Sequence, residues 1–384
     1  MASAVIVDAV RTPLGRRNGR LKDWHPVDLA AHTLRALVER NDLDPALIED
    51  VIMGCVSQVG DQAVNIGRNA ALAAGFPESV TGTTIDRQCG SSQQAAHFAA
   101  QGVLAGAYDV VIAAGVESMT RTPMGSSLLP GTNPFGRQLP VRYDLVPQGI
   151  SAELIAEKWS ISREENDEFS LESHRRAARA TEEGRFEREI VPVDVQTDES
   201  SETMTRDEGI RADSTLEALA KLKPAFKPDG VITAGNSSQI TDGAAAVLVM
   251  SEDKAMELGL VPRARFHAFA LAGVDPVLML TGPIPATTKA LERAGLTLDE
   301  IDRVEINEAF APVVLAWERE HHPDMARVNV NGGAIALGHP LGCSGARLMA
   351  TLLNELERSG GRFGLQVMCE GGGMANATVL ERLR

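Results

Sequence analysis

The hydrophobic positions of this chain form short blocks in which strand-like runs alternate with segments of helical period. In the first third, strand-like runs at 4–10, 50–56 and 81–86 are separated by helical patterns over about 26–41 and after Gly67. Strands that alternate with helices are typical of parallel strands covered by helices. We therefore expect an α/β fold, with parallel strands in this part of the chain.

The last third repeats this plan. A helix over about 286–294, the strand DRVEINE, a helix through Trp317, a glycine-rich turn, a helix through Leu356 and the strand GLQVMCEGGG follow one another. In both halves a glycine-flanked turn opens a helix of small residues. In the first half that helix is alanine-rich and has little bulk on most sides, so we expect it to be buried between layers. The pattern indicates a duplication.

Between the halves the composition changes to proline, glycine and polar residues, followed by a charged stretch over 162–190. The spacing of opposite charges in that stretch predicts a solvated helix with i, i+4 salt bridges. We predict three units. An N-terminal half over 1–118 is completed by about 235–260, an inserted unit covers 119–234, and a C-terminal half covers 261–384.

Composition excludes several classes of function. The 384 residues are 44% apolar, which is enough for a sizeable core. The 37 basic and 52 acidic residues give a net charge of −15, which argues against nucleic acid and anionic membrane surfaces as partners. The apolar runs are too short for a membrane span, and no signal-peptide pattern is present, so we expect a cytoplasmic protein. Four unclustered cysteines indicate free thiols in a reducing compartment.

Cys89, in DRQCGSSQQA, follows a strand and precedes a helix. Unpaired N–H groups and the helix dipole favour a thiolate there, so Cys89 is a candidate nucleophile with a lowered pKa. The alternative is a buried structural cysteine. Cys55, in the apolar run VIMGCV, has no such setting, and we expect it in the core.

His339 lies in NGGAIALGHPLGCSGAR, where glycines let the backbone approach a ligand closely. A histidine can take a proton from a thiol or donate to a developing oxyanion. A P-loop is excluded, because Gly338 is followed by His339 and Pro340 where that motif requires lysine and then serine or threonine. A metal site from His339 and Cys343 is disfavoured because the turn breaks the helix that would align them.

Cys369 ends a strand and enters Glu370-Gly371-Gly372-Gly373. Glycine N–H groups there can point at a substrate oxygen. A cysteine suits the role of a combined acid and base when its pKa lies near neutrality. Asn307, in INEAF, sits at a strand end, where capping of the next helix is the plain alternative to a functional role.

These four fragments, in the chain order Cys89, Asn307, His339 and Cys369, resemble the thiolase family, and the likeness runs from VIVDAVRTPLG to GGGMANATVLERL. The resemblance implies an α/β thiolase fold, with two pseudo-repeated halves in a five-layered α-β-α-β-α arrangement. It also implies an inserted loop domain that covers the active site and holds coenzyme A.

The same resemblance implies a role for each site residue. Cys89 is the nucleophile and Cys369 the general base and acid. Asn307 anchors a water that forms one oxyanion hole with His339, and the N–H groups of Cys89 and Gly371 form the other. Glu308 is expected to help fix this network.

For coenzyme A, Ser238 in AGNSSQITDGAAA matches a serine that contacts the pantetheine, and Arg211 matches a loop-domain arginine near the adenine nucleotide. Phe226 and Phe310 are expected to wall the pantetheine tunnel, although core packing explains those two equally well. Coenzyme A and acyl-CoA enter as substrates, and we expect no permanently bound cofactor and no metal.

The implied function is ping-pong thiolysis of a 3-ketoacyl-CoA through an acyl-Cys89 intermediate. Pro147 and Gln148 replace the His-Met pair of many short-chain biosynthetic thiolases, which favours a degradative enzyme that accepts a larger acyl group. The chain also resembles actinobacterial catabolic thiolases, some of which act on steroid-derived acids. Residues 121–143 differ from the common tetramerisation loop, which favours a homodimer and leaves a homotetramer open.

Two alternative functions stay open, and a third class is disfavoured. A short-chain acetyl-CoA C-acetyltransferase would make acetoacetyl-CoA, and a non-catalytic lipid carrier or scaffold could share the fold. A β-ketoacyl synthase uses His-His or His-Asn where this chain has Cys369, which argues against that class. Two reactive thiols at one substrate further suggest that oxidation could link Cys89 to Cys369 and inactivate the enzyme.

Overall fold

The structure is a computed structural model that describes residues 3–196 and 200–383. Its strands are β1 (Ala4–Arg11), β2 (Gly15–Arg16), β3 (Asp50–Gly54), β4 (Thr81–Ile85), β5 (Val110–Ser118), β6 (Val193–Gln196), β7 (Ser201–Met204), β8 (Thr241–Ser251), β9 (Ala264–Gly273), β10 (Arg303–Ile306), β11 (Phe363–Glu370) and β12 (Met374–Arg382). Its helices are α1 (Pro26–Arg40), α2 (Ile66–Ala73), α3 (Ser91–Leu104), α4 (Leu139–Arg142), α5 (Gln148–Lys158), α6 (Arg163–Glu182), α7 (Leu216–Ala220), α8 (Glu252–Glu257), α9 (Pro283–Ala294), α10 (Ala311–His321), α11 (Ala334–Leu337) and α12 (Ser344–Ser359). The predicted strands and helices of both halves are confirmed within a few residues.

The main sheet has the strand order β10-β11-β12-β9-β1-β8-β5-β3-β4. Its two halves meet where Val5 and Ile6 of β1 pair with Arg265 and Ala264 of β9. Strand β3 is parallel to β4 and β5, and β10 is parallel to β11, whereas β1, β8, β9 and β12 pair antiparallel in the described chain.

The expectation of parallel strands is therefore correct at the sheet edges and wrong at its centre. Helices α2 and α3 carry the chain across the sheet between β3, β4 and β5, which makes those strands parallel. By contrast, the short glycine turn over 371–373 joins β11 directly to β12, and a tight turn forces an antiparallel pair.

Helices cover the sheet halves and also lie between them. Helices α1 and α2 pack on the outer face of the first half, and α9 packs on the outer face of the second half. Helices α3 and α12 contact each other, and together they contact strands of both halves. The predicted five-layered arrangement is present, with α3 and α12 as its central layer.

The central position of α3 follows from its small side chains. Ala95, Ala96, Ala99 and Ala100 are completely buried, as predicted for a helix with little bulk. A Cβ on Gly345 of α12 would overlap the backbone of Gln93 in α3. Glycine at this position therefore lets the first turns of the two central helices touch.

Between the halves, α6 partly contradicts its predicted solvated character. Its i, i+4 salt bridges are present, from Arg163 to Asp167 at 2.7 Å and from Arg176 to Glu172 at 2.8 Å. However, the face that includes Leu171, Ser173, His174, Ala177 and Ala180 is buried. The charge spacing marks the outer face of a helix whose other face packs on α7, α10 and α11. The three domain boundaries stay a prediction.

Candidate active site

The two central helices bring together turns that are far apart in sequence. The Ala346 N–H of α12 donates to Ser92 Oγ of α3 at 2.9 Å, so the helix starts are joined by a buried hydrogen bond. Cys89 lies just before α3, and His339 lies shortly before α12. Leu341, from the His339 turn, packs against Cys89 in one apolar cluster with Met368.

Cys89 sits on a tight turn. Gln88, the preceding residue, has φ of 49°, a left-handed conformation that is uncommon for a residue other than glycine. Ser91 Oγ stabilises the turn by accepting from the Arg87 N–H at 2.9 Å and donating to the Gln88 carbonyl. The turn holds the thiol at the start of α3, where it is 4% exposed.

The structure contradicts the expectation of a lowered pKa at Cys89. Burial raises the pKa of Cys89 well above its ordinary value, and the nearby Cys369 and Glu370 raise it further. A backbone hydrogen bond at the helix start opposes burial but does not overcome it. Cys89 is therefore a thiol at neutral pH, and its activation requires a base.

His339 is the candidate for that base, because its ring is held in one neutral tautomer. Ser344 Oγ donates its only proton to the Pro340 carbonyl at 2.8 Å, so at 2.6 Å from His339 Nδ1 it must accept from that nitrogen. This fixes the proton on Nδ1 and leaves a lone pair on Nε2. His339 Nε2 is buried and has no hydrogen-bond partner in the described part of the chain. Burial, with help from Arg347, lowers the pKa of His339 to about 3, so the ring is neutral.

Removing the hydroxyl in Ser344→Ala should lower kcat by about tenfold and leave KM nearly unchanged, because the ring loses the acceptor that orients it. Steady-state thiolysis assays measure this. Ser359→Ala is the matched control. Ser359 also lies on α12 and donates to the carbonyl four residues earlier, at 2.7 Å, but it is at the far end of the helix. Equal effects of the two substitutions would contradict the proposed orientation of His339.

Asn307 faces Cys369 and does not cap a helix. Its Nδ2 lies 3.9 Å from Cys369 Sγ, in hydrogen-bond geometry for sulfur. Its Oδ1 is buried and has no hydrogen-bond partner among residues 3–196 and 200–383. The next helix, α10, is preceded by Phe310 as its N-cap, without a side-chain capping bond. The capping alternative is thus excluded, and Oδ1 is left to bind a water or a substrate group.

Cys369 is also a thiol in this state. Burial raises its pKa to about 12, although hydrogen bonds from Asn307 Nδ2 and from the Ala309 N–H oppose the shift. The expectation of a pKa near neutrality is therefore wrong.

Gly371 lies where the end of β11 approaches the Cys89 turn. A Cβ at this position would lie 3.1 Å from Gln88 Oε1 and 3.1 Å from Gln148 Nε2. The structure thus brings Cys89, Cys369, Asn307 and Gly371 together where the end of β11 meets the start of α3. It places His339 in the turn before α12, the helix whose start is hydrogen-bonded to that of α3. Sequence spacing alone gave no reason for Gln88 or Gln148 to line this place.

Three of the predicted coenzyme A residues lie near the start of α10. The Ser238 N–H donates to the Ala309 carbonyl at 2.9 Å, which fixes Ser238 beside the start of α10. Phe310 is 8% exposed, and Phe226 meets it edge-on with ring centroids 5.9 Å apart. Phe226 is 43% exposed, so it is not simply a core residue.

Arg211 is exposed, and its backbone N–H donates to His174 Nδ1 at 3.1 Å. Its guanidinium forms no ion pair within the described ranges. Gln239 Nε2 donates to the Gly209 carbonyl at 2.9 Å, which ties the Arg211 segment to the residue that follows Ser238. An unpaired cation beside this segment suits a phosphate-bearing ligand.

Two buried carboxylates support the site. Glu308, which we expected to fix the network, accepts from Ser173 Oγ at 2.7 Å and the Ile335 N–H at 3.2 Å. It thereby anchors the loop before His339. Glu117 was missed by the sequence analysis. It accepts from the Val56 and Gly342 N–H groups, both at 2.9 Å, and so ties the turn after His339 to the end of β3. A glutamate at the end of the apolar strand β5 is the signal that could have revealed it.

The remaining cysteines are structural. Cys55 is completely buried in the cluster between the first half of the sheet and α1, as predicted. Cys343 packs in the central layer with α3 and α12. All four thiols are free, so the Cys89–Cys369 disulfide stays a prediction. In the described ranges, no three His, Cys, Asp or Glu side chains are grouped in a way that could hold a metal ion.

No helix in the described part of the chain has the length and apolar character that a bilayer crossing needs.

Comparison with known proteins decides the family. The family model described as "Thiolase, N-terminal domain" matches residues 4–253, and the model described as "Thiolase, C-terminal domain" matches residues 260–382. The chain belongs to the thiolase family. This thiolase is 52% identical to a protein named Steroid 3-ketoacyl-CoA thiolase FadA6 from Mycobacterium tuberculosis, across 100% of this chain and 95% of the relative. It is 47% identical to the 3-ketoacyl-CoA thiolase of Idiomarina loihiensis, across the full length of both.

A solved structure supports the same assignment. The crystal structure of the Bacillus anthracis acetyl-CoA acetyltransferase superposes on this thiolase with a TM-score of 0.92 and 42% sequence identity. The match covers 100% of this chain and 99% of that one. The predicted family and the predicted thiolase fold are confirmed, whereas the roles of individual residues stay predictions.

Proposed function

We propose that this thiolase is a 3-ketoacyl-CoA thiolase of the degradative type, which uses coenzyme A to cleave a 3-ketoacyl-CoA into acetyl-CoA and a shortened acyl-CoA. The names of its full-length relatives support this activity. The observation that carries the proposal is a pair of free buried thiols, Cys89 and Cys369, that interact electrostatically beside Asn307, whose Oδ1 has no partner among the described residues. A neutral His339, whose Nε2 likewise has no partner among the described residues, lies in the turn before α12.

In the first half-reaction, His339 Nε2 takes the proton of Cys89, and the thiolate attacks the 3-keto carbon. The oxygen of that carbon becomes an oxyanion, which the N–H groups of Cys89 and Gly371 stabilise. Collapse of the adduct breaks the bond between C2 and C3 and leaves an acyl-Cys89 thioester. Cys369 protonates the departing enolate, whose oxygen is stabilised by His339 and a water on Asn307, and acetyl-CoA leaves.

In the second half-reaction, free coenzyme A enters the same site. The Cys369 thiolate takes the proton of the coenzyme A thiol. The coenzyme A thiolate then attacks the acyl-Cys89 thioester. The shortened acyl-CoA leaves, and the Cys89 thiolate recovers its proton from His339. Each group ends the cycle in its starting protonation state, since the proton that Cys369 gives to the enolate is replaced by the proton of the coenzyme A thiol. The proposed cycle therefore uses no permanently bound cofactor.

Coenzyme A is proposed to lie along Ser238, Phe226 and Phe310, with its phosphates near Arg211. The edge-on pair of phenylalanines offers an apolar wall to the pantetheine, and Arg211 supplies positive charge to a chain of net charge −15. The proposed assembly is a homodimer, with a homotetramer as the alternative. The reducing cytoplasm is the proposed compartment, because all four cysteines are free.

A short-chain acetyl-CoA C-acetyltransferase is the second candidate, favoured by the close superposition on the Bacillus anthracis enzyme. Thiolysis of acetoacetyl-CoA and of a bulky 3-ketoacyl-CoA, followed by loss of the 3-keto thioester, separates the two. We expect kcat/KM to be at least about tenfold higher for the bulky substrate, since extra buried apolar groups contribute about 1–3 kcal/mol each to discrimination. A preference for acetoacetyl-CoA would support the second candidate, and turnover of neither would contradict both.

A further inference from the structure

Glu370 is a buried carboxyl group that the proposed cycle does not use. It is the last residue of β11, directly between Cys369 and Gly371. Glu370 is completely buried. Among residues 3–196 and 200–383, neither of its carboxyl oxygens has a hydrogen-bond partner. A buried carboxyl that lacks partners is costly to ionise and marks a group whose charge has consequences for its neighbours.

The contacts of Glu370 place it against the Cys89 turn. A Cβ on Gly90, the residue after Cys89, would overlap Glu370 Oε1, so the carboxyl lies directly on the backbone of that turn. Arg87, two residues before Cys89, has its Nη1 4.0 Å from Glu370 Oε2. From β12, Asn376 Nδ2 donates to the Gly90 carbonyl at 3.0 Å and so holds the same turn against the sheet.

The charged and titratable groups around Glu370 are few. The turn before α3 presents Arg87, Asp86 and Cys89, and the strand of Glu370 itself presents Cys369. The neighbouring strand β12 presents Met374 opposite Glu370 and the neutral amide of Asn376, and α3 presents the backbone at Gly90. When it is ionised, the Glu370 carboxylate raises the pKa of both Cys89 and Cys369 by electrostatic repulsion of a thiolate. The positive charge of Arg87 partly offsets the charge of the carboxylate.

We propose that Glu370 is a positioning residue whose charge controls when Cys89 and Cys369 lose their protons. With a neutral carboxyl, Glu370 adds no charge that opposes formation of a thiolate, although burial and Asp86 still oppose it at Cys89. With an ionised carboxyl, a like charge beside both sulfur atoms opposes it. This inference concerns the same site as the proposed function and rests on the roles given there to the two cysteines.

The direction of the pH effect follows from the surroundings of Glu370. Burial raises the pKa of Glu370 to about 8, Arg87 opposes the shift, and Asp86 adds to it. The carboxyl is thus neutral at pH 7 and ionises as the pH rises above about 8. From there upward it disfavours both thiolates, so thiolate formation in the wild type is shifted to higher pH.

The test is the pH dependence of alkylation by iodoacetamide, with the modified Cys89 peptide measured by mass spectrometry. Glu370→Gln removes the charge and should move the midpoint of Cys89 alkylation to lower pH by about one unit. Glu370→Met, which is apolar and of similar size, should move it equally. Glu370→Asp is the matched control, since it keeps the carboxylate and should keep a midpoint close to that of the wild type.

Each outcome separates charge from structure. A purely structural role would change the alkylation rates in all three variants without moving the midpoint in the two neutral ones, and that result would overturn the proposal. If Glu370→Gln does not fold, Glu370→Met still answers the question, because it buries no unpaired polar group. Alkylation needs no acyl-CoA, so an unmoved midpoint contradicts this inference, whereas absence of thiolysis contradicts the proposed function.

Discussion

Cys89→Ala should lower kcat/KM for thiolysis by about 10⁴-fold or more, because the acyl group then has no atom to which it can be transferred. The substitution removes one buried sulfur atom and leaves the start of α3 intact, so we expect the fold to persist. Steady-state thiolysis, together with mass spectrometry of the protein after exposure to substrate, measures the effect. The wild type should gain the mass of the acyl group on the Cys89 peptide, and the variant should not.

Cys55→Ala is the matched control for this substitution. Cys55 is a completely buried thiol whose side chain packs in the apolar cluster between the sheet and α1, whereas only its backbone lies against Gly342 in the turn before α12. It should keep most of the wild-type activity, with any loss confined to stability. Substantial thiolysis by Cys89→Ala, or an acyl group found on another residue, would show that Cys89 is not the nucleophile.

Cys369→Ala should separate the two kinds of chemistry in the cycle. Cleavage of the bond between C2 and C3 leaves an enolate that needs a proton, and loss of a positioned acid costs about 10²- to 10⁴-fold. Transfer of an acyl group from a simple acyl-CoA to Cys89 breaks no carbon-carbon bond and needs no proton on carbon. We therefore expect thiolysis to fall by at least about 10²-fold while acyl-Cys89 still forms.

The measurement compares loss of the 3-keto thioester with formation of the acyl-Cys89 peptide from acetyl-CoA in the same variant. Asn307 Nδ2 contacts the Cys369 sulfur atom, so the substitution could disturb the pocket. The unfolding temperature of the variant should therefore be measured as well, to verify that the pocket is intact. Equal losses in both measurements would show that protonation of the enolate is not the step that depends most on Cys369, and with a lowered unfolding temperature they would favour a role in holding the site together.

Local pattern was sufficient for most of the elements. The alternation of apolar positions predicted β1, β3 and β4, and the alanine-rich stretch after Cys89 predicted a buried α3. The direction of the central strands was missed, because strand direction depends on how the chain returns to the sheet. A helical crossover and a tight hairpin leave similar hydrophobic patterns in the strands that they connect.

At the active site, too, sequence motifs predicted some features, and others depend on the tertiary structure. Sequence motifs located Cys89, His339, Cys369 and Asn307 and predicted the family. The expected low pKa of both cysteines was wrong, since burial raises a thiol pKa more than a helix start lowers it. The depth of burial depends on packing from the whole fold, and a ten-residue motif does not contain it.

By itself, the sequence determined the elements, the family and the residue types that are able to carry out thioester chemistry. The tertiary structure alone decided which side chains meet, the tautomer of His339, the role of Glu117 and the contact of Glu370 with the Cys89 turn. These features arise where α3, α12 and β11 converge from distant parts of the chain. Hydrogen bonds, burial and charge act over a few ångströms in space, so contacts between distant segments cannot be read from the order of residues along the chain.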